Sequence, residues 1–157
     1  MGVSGCGKTS VGKLLSQKTN LPFYDADNFH SDINIKKMKS NMPLTDDDRK
    51  PWLETLAYRI KEWELTGGAI LACSALKEKY REILCSQTDS IIWVYLQGTF
   101  EVINTRLKKR NQHYMKSPLL QSQFDTLEVP KYGLHISIEK PINEIVSIIT
   151  KKLRLNE

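Results

Sequence analysis

The sequence predicts an α/β fold in which a parallel β-sheet is flanked by helices. Two observations lead to this prediction. Segments with helical and strand-like hydrophobic patterns alternate along the 157 residues, and such alternation is typical of parallel sheets. In addition, residues 91–96 (IIWVYL) form a continuous apolar run, which suits a strand that is covered on both faces. We expect one domain over residues 1–157.

The helices and strands of the amino-terminal part follow from hydrophobic spacing and from residues typical of helix ends. Residues 51–65 have apolar side chains at helical spacing, Pro51 suits a first turn, and Gly67 ends the helix. The same spacing predicts two further helices, residues 9–18 and 33–40. Short apolar segments between the helices are predicted strands, residues 21–25 and 69–73.

The carboxyl-terminal part continues the alternation. Its predicted helices cover residues 77–84, 100–110 and 142–153. Its predicted strands are the apolar run 91–96 and a weaker segment, residues 135–138. The last helix is amphipathic, so it should cover one face of the sheet.

Composition places the chain among ordinary globular proteins, with 40% hydrophobic and 26% charged residues. The net charge of +5 and a pI of about 9.1 favour anionic partners such as phosphate compounds, nucleic acid or an acidic surface. A modest positive charge also keeps a protein soluble without any partner. Charge alone does not decide between a binding role and solubility.

Cysteine spacing and hydropathy favour the cytoplasm. Cys6, Cys73 and Cys85 are widely separated and form no CxxC pair, which argues against a disulfide framework and a zinc site. No apolar run is long enough to span a bilayer, and the amino-terminal residues do not resemble a signal peptide. We expect a cytoplasmic location and no membrane partner.

A glycine-rich motif at residues 2–9 (GVSGCGKT) matches the phosphate-binding pattern GxxxxGK[ST]. Glycines let successive N–H groups point at phosphate oxygens, and the following helix offers its positive end. Lys8 should reach the β- and γ-phosphates of ATP, and the Thr9 hydroxyl should bind Mg²⁺. The alternative is a glycine-rich turn that only caps a helix. The predicted nucleotide contacts are Gly2, Ser4, Gly5, Cys6, Gly7, Lys8, Thr9 and Ser10.

The motif normally follows a β-strand, yet only Met1 precedes Gly2 in the sequence. In a P-loop fold that strand lies in the middle of the sheet, so we expect a vacant central position, marginal stability and weak activity. A splice form, a gene-model start or a truncated product would each account for this beginning.

Two carboxylates, Asp25 and Asp27, follow the second predicted strand, at the edge where open α/β sheets bind ligands. One can hold Mg²⁺ while the other orients or deprotonates a substrate hydroxyl. We assign the hydroxyl to Asp27 and the metal to Asp25, although these roles can be exchanged. The alternative is a pair of aspartates that only caps a loop.

Five segments resemble, in order, the successive motifs of the gluconokinase family: GVSGCGKT, YDADNFH, NIKKMKSNMPLTDDDRKPWL, CSALKEKYREIL and RLKKRNQHYMKSPLLQSQFDTLE. Shikimate and adenylate kinases share the loop but not PLTDDDRKPWL or CSALK. The resemblance implies a fold like that of nucleoside monophosphate kinases, phosphoryl transfer from ATP to the 6-hydroxyl of D-gluconate, and often a homodimer.

The substrate side of such a kinase would be built from polar residues at the same edge. Arg49 can bind a carboxylate through two parallel hydrogen bonds. The acidic residues before Arg49 have a simpler role, since they favour the start of the next helix. Further substrate-binding candidates are His30, Ser74, Lys77 and Arg81. His30 can instead be a surface residue, and Lys77 and Arg81 can belong to a solvated helix face.

A mobile lid is expected at about residues 107–128. In similar kinases one arginine packs on adenine and a second reaches the phosphates, and Arg106 and Arg110 fit these roles. They lie one helical turn apart, so they can project together, and Arg110 would stabilise the transferring phosphoryl group. The alternative is a basic helix end that only suits the helix dipole.

The leading interpretation is therefore a gluconokinase that uses ATP and Mg²⁺. The first alternative is a kinase for another small hydroxy acid such as shikimate. The second is an inactive relative that acts as a binding or dimerising protein, as the beginning of the sequence suggests. We do not expect a nucleic-acid-binding module, because the cations lie beside kinase motifs and no aromatic stacking pattern accompanies them.

Overall fold

Seven α-helices and four short β-strands make up the part of the chain that the computed structural model describes, namely residues 1–40, 42–109 and 117–153. The predicted alternation of helices and strands is confirmed. Arg110 and the centre of the predicted lid lie outside the described residues. Within the described ranges, no helix has the length and apolar character that crossing a bilayer requires.

The amino-terminal elements are α1 (Lys8–Thr19), β1 (Phe23–Asp25), α2 (Asp32–Lys39), α3 (Asp46–Leu65) and β2 (Ile70–Ala72). A 3₁₀ turn, Ala26–Phe29, connects β1 to α2. Helix α2 begins where the hydroxyl of Ser31 accepts a hydrogen bond from the Asn34 N–H. This N-cap satisfies one of the free N–H groups of the first turn.

Helix α3 begins at Asp46, before the predicted start at Pro51. Thr45 and Asp48 form a capping box, in which each side chain accepts a hydrogen bond from the other residue's N–H. The acidic residues therefore lie in the first turn instead of preceding the helix. Pro51 is tolerated because its missing N–H removes a single hydrogen bond near one end of a 20-residue helix.

The carboxyl-terminal elements are α4 (Glu78–Cys85), β3 (Val94–Gln97), α5 (Phe100–Lys109), α6 (Ser117–Thr126), β4 (Leu134–Ser137) and α7 (Ile142–Leu153). Helix α6 lies within the predicted lid segment, where no helix was predicted. Helix α7 has the predicted bounds, and its inward residues Ile145, Val146 and Ile149 are buried.

The apolar run 91–96 forms a shorter strand than predicted. Only Val94–Gln97 is a strand, and Ile92 is 59% exposed. The prediction rested on the continuous apolar run, which suits a strand that is covered on both faces. In the structure one edge pairs with β4, and residues 91–93 border a cavity on the other side.

The four strands form two parallel pairs. Strand β1 pairs with β2, with Phe23 opposite Ile70 and Asp25 opposite Ala72. Strand β3 pairs with β4, with Val94 opposite Leu134. Among the described residues, β2 and β3 do not pair with each other. The parallel order brings the carboxyl ends of β1 and β2 to one edge, where the candidate site lies.

Apolar residues form two buried clusters. One joins α1, α5 and α7 to the sheet of β3 and β4, and Ile103 and Val146 lie at its centre. The other joins α3 and α4, and it includes Trp52, Leu56 and Leu84. The two clusters fix the positions of α1 and α3, and the amino-terminal ends of these helices carry polar residues of the site.

Candidate active site

The glycine-rich loop of residues 2–7 leads directly into α1. Gly7 precedes the helix in a left-handed conformation (φ 99°), and Gly5 also has a positive φ of 80°. A Cβ atom on Gly5 would lie 2.8 Å from Leu107 Cδ2, so only glycine fits there. No described side chain caps the first turn of α1, and its N–H groups are available to an anion.

Lys8 and Gln123 make the polar contacts of the loop. Lys8 Nζ donates hydrogen bonds to the carbonyl oxygens of Gly2 and Val3, both at 3.0 Å. The N–H of Ser4 donates to Gln123 Oε1 at 2.6 Å. The side-chain oxygen of Gln123, on α6, therefore accepts a hydrogen bond from one of the loop N–H groups that the motif would direct at phosphate oxygens.

Thr9 and Asp25 provide oxygen atoms suited to a magnesium ion. Thr9 Oγ1 donates to Asp25 Oδ2 at 3.2 Å, and the N–H of Asp27 donates to Asp25 Oδ1 at 3.1 Å. Mg²⁺ prefers oxygen ligands and usually keeps waters and substrate phosphates in its shell, so two protein oxygens are sufficient. The described residues contain no cluster of three or more His, Cys, Asp or Glu side chains suited to a metal. The pair fits an ion shared with a nucleotide.

Asp27 lies beside this pair and points to water. Partial burial in the cleft and then the negative charge of Asp25 raise its pKa, while Lys8 opposes the shift. Its side chain is 83% exposed, so water still stabilises the carboxylate. The exposed carboxylate of Asp27 is accessible to a substrate hydroxyl, from which it can accept a hydrogen bond.

His30 is held in a fixed orientation next to Asp27. Its ring stacks on Trp52 with centroids 4.1 Å apart, and burial, followed by the charge of Arg49, lowers its pKa to about 4. Nδ1 lies 3.5 Å from Asn34 Nδ2 and Nε2 lies 4.0 Å from Asp27 Oδ1. The imidazole is therefore neutral at pH 7. With Nδ1 accepting from Asn34, Nε2 carries the proton and is the ring nitrogen on the Asp27 side.

Arg49 and Lys77 both lie against the Tyr80 ring. The Arg49 guanidinium carbon is 5.8 Å from the ring centroid, and Lys77 Nζ is 5.5 Å from it. Arg49 Nη1 also donates to the carbonyl oxygen of Leu44. The structure thus places two predicted substrate-binding cations around one aromatic side chain.

Asp46 neutralises part of this positive charge. It accepts hydrogen bonds from Lys79, from the Tyr80 hydroxyl, and from Lys77 at 3.0 and 3.1 Å. These hydrogen bonds, with that of Lys79 the strongest, hold the pKa of Asp46 well below its usual range. Lys77 is therefore oriented by a carboxylate, whereas the hydrogen bonds of the Arg49 guanidinium within the described part of the chain go to carbonyl oxygens.

Arg81, another predicted substrate-binding residue, is 1% exposed. Its guanidinium donates to the carbonyl oxygens of Ala75, Leu76 and Glu128 and to the side chains of Glu78 and Tyr132. These bonds connect the segment after β2 to the segment after α6. Because Arg81 is buried, the alternative that places it on a solvated helix face is wrong. The role of Arg81 in substrate binding stays a prediction.

The remaining predicted residues surround the loop or lie behind it. Cys6 is buried and Ser10 is exposed, while the Ser74 carbonyl accepts a hydrogen bond from the Gly2 N–H at 3.3 Å. Arg106 Nη2 donates to the carbonyl oxygen of Ile138 at 2.5 Å. Arg110 lies outside the described residues.

Electrostatic interactions join four predicted residues into one site. Lys8 partly offsets the rise in the pKa of Asp27, and His30 Nε2 lies 4.0 Å from Asp27 Oδ1. After burial, the charge of Arg49 contributes to the lowered pKa of His30. The site therefore extends from the phosphate loop to the Arg49 cation. Arg81 and Arg106 donate hydrogen bonds to the backbone carbonyls of Ala75 and Ile138.

Sequence reasoning did not identify several polar and aromatic residues as parts of this site. Trp52 stacks on His30 and donates from Nε1 to the carbonyl oxygen of Ala26 at 2.8 Å, and Gln123 contacts the loop. Tyr80 and Asp46 organise the cations. All four residues lie in the segments that resemble kinase motifs. Their contacts join distant parts of the chain, so the spacing of residues within a segment could not reveal these contacts.

Comparison with known proteins adds a family assignment to this geometry. The family model described as shikimate kinase matches residues 4–133. A probable gluconokinase of Mus musculus is 41% identical, with 98% of this chain and 95% of that protein covered. The thermoresistant gluconokinase of Escherichia coli K12 is 39% identical, with 94% and 87% covered.

Solved structures agree with these sequence matches. The crystal structure of an unliganded sugar kinase from Janibacter sp. HTCC2649 superposes with a TM-score of 0.92 at 39% identity. The match covers 99% of this chain and 92% of that one. The predicted P-loop kinase fold is confirmed.

Proposed function

The chain belongs to the gluconokinase family, and from that premise we propose that it transfers the γ-phosphoryl group of ATP to the 6-hydroxyl of D-gluconate. The observation that carries the proposal is the continuity of the site. Three groups follow one another along the edge formed by β1, β2 and the helices after them. They are the phosphate-binding loop with Lys8, the Asp27 carboxylate for the substrate hydroxyl, and the Arg49 cation for the carboxylate of the sugar acid.

ATP binds with its phosphates against the loop and the first turn of α1. Lys8 leaves the carbonyl oxygens of Gly2 and Val3 and contacts the β- and γ-phosphates, where its charge stabilises the transition state. The Gln123 oxygen must release the Ser4 N–H when a phosphate oxygen takes its place. Thr9 and Asp25 would hold Mg²⁺, which would neutralise part of the phosphate charge.

Asp27 positions the attacking hydroxyl of the sugar acid. Its carboxylate accepts a hydrogen bond from that hydroxyl and takes its proton as the oxygen attacks the γ-phosphorus and the bond to ADP breaks. The neutral His30 donates a hydrogen bond from Nε2 to a neighbouring hydroxyl. Because Trp52 packs against the ring, His30 keeps its orientation during the reaction.

Arg49 and Lys77 recognise the carboxylate of gluconate. Arg49 can offer two parallel N–H groups to a carboxylate, whereas Lys77 contributes a point charge that Asp46 holds in place. Arg81 supports the segment that carries Ser74 and Lys77, and Arg106 and Arg110 act on the nucleotide side. A homodimer and a cytoplasmic location remain predictions.

A coupled assay of ADP release tests the proposal. Purified chain and MgATP are incubated separately with gluconate, shikimate, glucose and nucleoside monophosphates. The proposal requires the highest kcat/KM with gluconate. A higher value with shikimate would support the alternative of another hydroxy-acid kinase, whereas the comparisons do not favour an inactive binding protein.

A further inference from the structure

Asn34, on α2, is a buried polar residue that contacts both His30 and the first turn of α3. It is 4% exposed. Its side-chain nitrogen donates to the Asp48 carbonyl oxygen at 2.8 Å and lies 3.5 Å from His30 Nδ1. An amide NH₂ group has two hydrogens, and buried donors need acceptors. Asn34 therefore gives one amide hydrogen to α3 and directs the other at the imidazole ring.

The Asp48 carbonyl determines which end of the Asn34 amide faces His30. A carbonyl oxygen can only accept a hydrogen bond, so the amide must present its nitrogen to Asp48 and not its oxygen. The same nitrogen faces His30 Nδ1. A proton on Nδ1 would bring two donors together, so the neutral ring carries its proton on Nε2.

The position of Asn34 is fixed by contacts on both sides. Its backbone N–H donates to Ser31 Oγ at the start of α2, at 3.2 Å. Lys37, three residues further along α2, donates to Asp48 Oδ1 at 2.6 Å. These contacts hold α2 against the start of α3, so the amide is oriented before any ligand binds.

His30 and Asp27 form a pair of opposite hydrogen-bonding character. His30 Nε2 lies 4.0 Å from Asp27 Oδ1, which is too long for a direct hydrogen bond. The neutral His30 donates from Nε2, whereas the Asp27 carboxylate accepts. A fixed donor next to a fixed acceptor suits two neighbouring oxygen atoms of one ligand.

We propose that Asn34 is a positioning residue that fixes the His30 tautomer, and that the resulting pair of His30 and Asp27 recognises a primary alcohol with a hydroxyl group on the adjacent carbon. This inference rests on the proposed function. In gluconate, the 6-hydroxyl donates to Asp27 and the 5-hydroxyl accepts from His30 Nε2. The His30 donor serves the 5-hydroxyl, because a hydrogen bond to the attacking oxygen would occupy the lone pair that must reach phosphorus.

Nitrogen-15 NMR of the full chain without ligand, at neutral pH, tests the tautomer. The chain has three histidines, and His30→Phe identifies the His30 signals by their loss. We expect Nδ1 to resonate in the unprotonated range and Nε2 in the protonated range. Asn34→Asp replaces the donor with an acceptor of nearly the same shape, so Nδ1 should gain a proton. Asn143→Asp, at an exposed position on α7, adds the same charge and should leave the His30 spectrum unchanged.

Steady-state kinetics with 5-deoxygluconate test the recognition of the adjacent hydroxyl. In the unchanged chain we expect kcat/KM to be about tenfold lower with 5-deoxygluconate than with gluconate, because a buried donor loses its acceptor. In His30→Phe the two substrates should differ by about twofold or less, since no donor is present. The ratio between two substrates does not depend on the amount of folded enzyme, so it separates recognition from stability.

Each part of the proposal has an outcome that would overturn it. A proton on His30 Nδ1 in the unchanged chain would overturn the tautomer, whether or not Asn34→Asp folds. An unchanged His30 spectrum in Asn34→Asp would mean that Asn34 does not position the ring. Equal kcat/KM values for gluconate and 5-deoxygluconate would overturn the recognition of the adjacent hydroxyl. The spectra need no substrate, so the expected tautomer without turnover of gluconate would support the role of Asn34 and contradict the proposed function.

Discussion

The hydroxyl of Thr9 lies 3.2 Å from Asp25 Oδ2, which joins the end of the phosphate motif to the carboxyl end of β1. The two residues are 16 positions apart in the sequence, and the parallel pairing of β1 with β2 holds Asp25 at the site edge. This contact places the two candidate magnesium ligands directly beside Asp27. The nucleotide and sugar-acid halves of the site therefore share one border, and each half can be tested separately.

Replacing Lys8 should remove charge from the transferring phosphate. We expect Lys8→Ala to lower kcat by about 10²–10³-fold, which is typical when one group that stabilises the transition state is lost. The matched control is Lys13→Ala, because Lys13 is exposed on the same helix. Steady-state kinetics of both variants with MgATP and gluconate measure the effect, and similar losses in both would assign Lys8 a general electrostatic role.

Asp27→Asn should keep the shape of the site but remove the proton acceptor. We expect kcat to fall by about 10²–10⁴-fold with a smaller change in the KM of gluconate. Asp47→Asn, at an exposed position in the first turn of α3, serves as the control. If Asp27→Asn retains the parent kcat, Asp27 takes no part in proton transfer and Asp25 becomes the candidate.

Arg49→Lys should weaken gluconate more than ATP. A point charge cannot reproduce two parallel hydrogen bonds to a carboxylate, so we expect the KM of gluconate to rise about tenfold and that of ATP to change little. Arg59→Lys, which alters an exposed ion pair with Glu62, controls for the charge-conserving exchange itself. Equal increases in both KM values would indicate that Arg49 mainly supports the Leu44 backbone.

Gln123→Glu tests the contact between α6 and the phosphate loop. A carboxylate at the Ser4 N–H would repel the ATP phosphates, whereas the amide oxygen is displaced without charge repulsion. We expect the KM of ATP to rise about tenfold, with Gln121→Glu as the control because Gln121 is exposed on the same helix. An unchanged KM would mean that Gln123 leaves the loop before ATP binds.

His30 should make stability depend on pH between about 4 and 6.5. Its folded pKa of about 4 lies below the ordinary value of 6.5, so in this range the unfolded chain binds the extra proton. The free energy of unfolding should therefore rise with pH across this window, by at most about 3 kcal/mol from this residue. His30→Phe keeps an aromatic ring against Trp52 and should lose this part of the slope in urea unfolding. An unchanged slope would mean that His30 is already protonated in the folded protein near pH 6.

Most of the secondary structure was predictable because it depends on local spacing. Helix α7 has its predicted bounds, and α1 and α2 differ from their predicted ranges by a residue or two. The start of α3 was predicted too late, since the Thr45–Asp48 capping box stabilises the first turn more than Pro51 disturbs it. Strand β3 was predicted too long, because only Val94–Gln97 of the region forms a strand. Whether a segment pairs with neighbouring strands depends on the tertiary structure, which an apolar run does not reveal.

The sequence by itself determined the phosphate loop, the Thr9 and Asp25 oxygens and the order of the kinase motifs, because each depends on residues close together in the chain. Only the tertiary structure decided which partners the polar side chains have. Arg81 donates to backbone carbonyls and to Glu78 and Tyr132, Lys77 is held by Asp46, and Gln123 accepts a hydrogen bond from the Ser4 N–H. These contacts connect residues far apart in sequence, and burial decides whether a charge faces a ligand or a protein partner.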